Sequence, residues 1–74
     1  MQNYHITKKN GLWELKPQGG AALRTFNTKA DAVAAAPRII SQMGGGSLKI
    51  HREDGTFEDE RTYPRSSDPR TSKG

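Results

Sequence analysis

Residues 28–46 read TKADAVAAAPRIISQMGGG, and the way this stretch folds decides the rest. Ala32, Val33, Ala36, Ile40 and Met43 recur at helical spacing and make one apolar stripe. Thr28 opens the helix, with Asp31 three residues on in a capping-box-like arrangement where Glu or Gln is commoner. Gly44-Gly45-Gly46 ends it, because glycine readily takes the left-handed conformation of a C-cap. Pro37 is the flaw. It removes the bond to the Val33 carbonyl and clashes there, at roughly 3 kcal/mol in a regular helix. A kink is expected, or a break with the helix restarting at Pro37.

On either side of this helix the period changes to two. Tyr4 to Thr7 alternates apolar and polar, Asn10-Gly11 is a hairpin signal, and Leu12 to Lys16 alternates again with Trp13 and Leu15 on one face. After the Pro17–Gly20 turn, Ala21 to Phe26 reads as a third strand of imperfect alternation. Beyond the helix, Ser47 to Arg52 places Leu48 and Ile50 inward, and Asp54-Gly55 reads as a second primed-turn hairpin. Thr56 to Tyr63 returns, with Phe57 as its inward anchor. The order β-β-β-α-β-β predicts a two-layer α+β domain over residues 1–63, an antiparallel sheet with one helix packed on one face. The expected core is Ile6, Trp13, Leu15, Phe26, Val33, Ala36, Ile40, Leu48, Ile50 and Phe57. The other sheet face is left open to solvent or a partner.

Composition sets limits on this fold. Leu, Ile, Val and Phe number only eleven of 74 residues, near the range of disordered chains. No hydrophobic residue lies beyond residue 63, however, so residues 64–74 read as a solvated, disordered basic tail attached to a folded domain. A chain this short buries about 60% of its unfolded surface and holds about 3–5 kcal/mol of net stability. Homodimerisation is one source of further burial. There is no cysteine to staple the fold or ligate metal, no apolar leader at the N-terminus and no stretch long enough to span a bilayer. A cytoplasmic protein is expected, with no membrane contact.

Tyr4-His5-Ile6, Gly11-x-Trp13-x-x-Lys16, Thr28-Lys29-x-Asp31-Ala32, the Asp54-Gly55 hairpin, Asp68-Pro69 and Lys73-Gly74 resemble a small bacterial and phage family, domain of unknown function 2188. That family has no established activity, so the resemblance implies no functional residues. Over residues 4–36, Trp13, Arg24 and Phe26-x-Thr28-Lys29-x-Asp31-Ala32 also resemble the arm-type DNA-binding domains at the N-termini of tyrosine recombinases. That second resemblance implies an open sheet face lying in a DNA major groove.

Charge is unevenly spread: +6 over residues 1–52, −5 over residues 53–60 and +3 thereafter. Strand parity puts Lys9, Lys16, Lys49, His5 and His51 on the open face, joined by Arg24 if Phe26 lies past the strand end. Such a face neutralises phosphates, although polar residues on the solvent side of a two-layer fold need no ligand to explain them. An aromatic there would strengthen the case, and none is expected, since Trp13 reads as core. Arg65, Arg70 and Lys73 in the tail are candidates for additional weak contacts. Glu58, Asp59 and Glu60 are the candidate docking patch for a basic partner protein, or a solvated hairpin edge that discourages aggregation. His5 and His51 make a poor metal site without a third ligand. Nothing in the chain has the order of a catalytic triad, a phosphate loop or a carboxylate pair. The sequence therefore predicts a non-enzymatic module without cofactor or metal, binding DNA or RNA through Lys9, Lys16, Arg24, Lys49 and His51. The alternative is a protein-interaction or inhibitor module of a phage or bacterium. It would bind its partner through the open face, an edge strand or the acidic hairpin.

Overall fold

The computed structural model describes residues 2–64. The expected tail, with Arg65, Arg70 and Lys73, lies almost wholly outside them. Five strands and one helix follow in the predicted order: β1 (Asn3–Lys9), β2 (Leu12–Pro17), β3 (Arg24–Phe26), α1 (Lys29–Gln42), β4 (Gly46–His51) and β5 (Phe57–Tyr63). The strands form one sheet in the spatial order β3-β2-β1-β4-β5. It is mixed, not purely antiparallel, because β1 and β4 pair in parallel. The cause is the helix itself. A helix returning across the sheet reverses the chain, so the next strand runs in the direction of the strand before it. Here β4 runs with β3, hence with β1, and docks beside β1.

The helix runs without a break through Pro37. Buried Ala32, Ala36 and Ile40 pin it to the sheet on both sides of the proline, which offsets the bond lost at the Val33 carbonyl. Thr28 caps its start, its hydroxyl accepting from the Asp31 amide at 3.1 Å. Its end is a Schellman motif: the Gly45 amide donates to the Ile40 carbonyl at 2.8 Å and that of Gly44 to Ser41 at 3.2 Å. Gly44 sits at φ 103°, which a side chain would resist.

The core lies between the helix and one sheet face. Tyr4, Ile6, Leu15, Ala32, Ala36, Ile40 and Leu48 are fully buried, with Trp13 and Ile50 nearly so. Phe26 and Val33 pack at its margin. Tyr4 and Ala32 join the expected set. The two alanines let the helix approach closely, and a Cβ on Gly46 would meet the Tyr4 ring at 2.9 Å, so that glycine makes room for the tyrosine. Phe57 does not belong to the core: it is 51% exposed.

Phe57 is displaced by the hairpin. The expected two-residue turn at Asp54-Gly55 is a three-residue loop, Glu53-Asp54-Gly55. The Gly55 amide donates to Arg52 at 2.8 Å and the Arg52 amide to Thr56 at 2.7 Å. Further on, Ile50 pairs with Asp59 but His51 pairs with Phe57, leaving Glu58 as an extra residue in a bulge. One extra residue inverts the parity of the strand end. Phe57 therefore leaves the helix side and comes to the open face.

Candidate nucleic-acid interface

Cross-strand pairing brings most of the predicted site together. Lys16 pairs with His5, His5 with Lys49 and Lys49 with Glu60, giving one row across the open face. Beside it, Glu14 pairs with Thr7, and His51 with Phe57. Lys9 and half-exposed Leu12 form the end pair. Lys9, Lys16, Lys49 and His51 thus stand where strand parity put them.

Arg24 does not join them. Phe26 is within β3, paired with Trp13, and Arg24 is paired with Leu15. Both therefore point to the helix side, and Thr25 takes the open-face position. The acidic candidates also part company. Glu58 pairs with Lys29, Asp59 with Arg61 at 3.2 Å and Glu60 with Lys49 at 3.4 Å. Each has a cation within its own molecule. Arg61 holds the Asp59 carboxyl below its usual range, and the Ser47 hydroxyl, with Lys49, does the same for Glu60.

The centre of the open face is a pair of imidazoles. His5 and His51 stack with centroids 5.2 Å apart, and the Phe57 ring meets His51 edge-on at 6.3 Å. The His51 Nδ1 lies 3.2 Å from the Gly55 carbonyl, which can only accept, so that nitrogen carries a proton. Its Nε2 then accepts from the His5 Nδ1 at 3.0 Å. Gln18, 3.5 Å from the His5 Nε2, can serve either state of that nitrogen: its amide donates to a bare Nε2, its carbonyl accepts from a protonated one. Burial holds the His5 pKa below its usual value, and the His51, Lys49 and Lys16 charges add to this against the Gln18 bond.

Lysines, two stacked imidazoles and an exposed phenyl ring share one face. The alternation of β1, β2 and β4 revealed the first two. Phe57 was missed, because Glu58, Asp59, Glu60 and Arg61 offer no apolar alternation from which to read register. Among the described residues there is no group of three His, Cys, Asp or Glu side chains that could hold a metal, and no helix long and apolar enough to cross a membrane.

No curated protein and no solved structure shows significant similarity to the chain. A family model described as "uncharacterized protein conserved in bacteria (DUF2188)" matches residues 4–63, and the chain belongs to that family.

Proposed function

We propose that the chain is a non-enzymatic binding module whose open sheet face takes single-stranded DNA or RNA. The observation that carries this reading is Phe57, turned by the bulge onto the same face as His5 and His51 and left half exposed. Unstacked bases bind flat sheet faces by stacking on aromatic rings, at about 1–3 kcal/mol per base. Lys9 and Lys16, without acidic partners among the described residues, flank these rings and neutralise phosphates. Lys49 is held by Glu60 and Asn3 and contributes less.

The test is binding of a fluorescent single strand at two salt concentrations. Neutralising about three phosphates weakens affinity roughly twentyfold between 50 and 200 mM salt. Joint charge reversal at Lys9 and Lys16 lowers affinity for every sequence tested. Absence of binding at the lower salt refutes the reading.

A protein partner is the second reading, favoured by one observation: β5 is an edge strand whose residues 57–62 are all exposed, open to strand addition. Capture from lysate that survives nuclease treatment would support it.

A further inference from the structure

On the opposite side of the sheet a groove of about 500 Å³ runs between β3 and the later turns of α1. Ala34, Ala35 and Ile39 give it an apolar lining, and Arg24, Arg38 and Gln42 supply its polar groups. Its volume suits a small molecule. The two arginines differ from the other cations on that side. Lys8, Lys29 and Arg61 each pair with an acid, Glu53, Glu58 and Asp59 respectively. Arg24 and Arg38 have no hydrogen-bonded or ionic partner among the described residues, and no carboxylate lines their groove. Both are solvent-exposed; two guanidiniums on one groove with no counter-charge beside them favour a dianion, and their planar forks match the oxygens of a phosphoryl group.

We infer that this groove binds a phosphomonoester carried on a small apolar or aromatic body. Arg24 and Arg38 grip the phosphoryl oxygens, Gln42 bonds a polar edge of the ligand, and the body rests on Ala34, Ala35 and Ile39. The site stands on the face that the strand platform does not use, and it does not depend on that platform.

Phenyl phosphate is the first probe, followed by amide chemical shifts. Saturable shifts at Ala34, Ala35 and Ile39 are expected. Arg24→Ala and Arg38→Ala should each weaken binding about tenfold, the usual size of a lost charge-assisted bond. Phe57→Ala should leave it unchanged, which separates this site from the open face. A second arm compares a nucleoside 5′-monophosphate with single strands bearing a 5′-phosphate or a 5′-hydroxyl. Preference for the phosphorylated strand assigns the ligand to strand ends, while binding of the monophosphate without that preference assigns it to a free nucleotide-like metabolite. The inference is overturned by no saturable shift at about 10 mM phenyl phosphate. Affinity for phenyl phosphate unchanged in both arginine variants, or tighter binding of benzoate than of phenyl phosphate, overturns it equally.

Discussion

The two faces of the sheet are made by the same strands and finished in different ways. Under the helix, β1, β2 and β4 present Tyr4, Ile6, Leu15, Leu48 and Ile50, all essentially buried. On the other side the same strands present His5, Thr7, Lys16, Lys49 and His51, which are only half covered. Alternation along a strand thus separates two sets of side chains: one holds the fold, and the set between them faces solvent, where the proposed binding would take place. The difference teaches where a substitution should be felt, in stability or in affinity.

The largest effect should come from the covered face. Leu48→Ala or Ile6→Ala should cost about 2–5 kcal/mol in urea unfolding, comparable with the whole stability of a domain this size. A loss under 1 kcal/mol would break the assignment of that face as core. Phe57→Ala should do the reverse. Single-strand affinity should fall by about 1–3 kcal/mol, the value of one stacked base, while the unfolding midpoint barely moves. Smaller than either is the helix cap, whose effect is on stability alone: Thr28→Ala should cost about 0.5–2 kcal/mol and leave binding intact.

The smallest effect is the one on which the faces should disagree in sign. The His5 pKa is lowered in the fold, so the unfolded chain takes up its proton first. Stability is full above the unfolded imidazole value of about 6.5 and is lost as pH falls from there through the folded value. Phosphate contact favours the protonated form, so affinity should rise over the same interval. Melting temperature and strand affinity followed between about pH 7.5 and 5.5, above the carboxylate range, should move in opposite directions. His5→Asn should flatten both.

Wherever the chain repeats a simple pattern, the fold was legible. The alternation around Ile6, Leu15 and Leu48, the Asn10-Gly11 turn and the Gly44–Gly46 stop placed every element in order. Parity placed Lys9, Lys16, Lys49 and His51 on one face. What was not legible depended on counting residues between chains of hydrogen bonds. Phe57 changed faces through the bulge at Glu58, and a strand of charged residues gives no sign of such a shift. Arg24 went to the helix side because Phe26 is inside β3 and not beyond it, a matter of one residue at a strand end. The parallel pairing of β1 with β4 could have been read from strand directions alone. Pro37 was read by local propensity, and packing on both sides of it prevailed.

The most direct test of the division between faces is an amide chemical-shift map of the intact protein titrated with a short 5′-hydroxyl single strand at low salt. Shifts should concentrate at His5, Lys16, Lys49, His51 and Phe57, with Ala32, Ala36 and Ile40 quiet. Shifts confined to α1 with the open face unmoved, or no shifts at all, would contradict it.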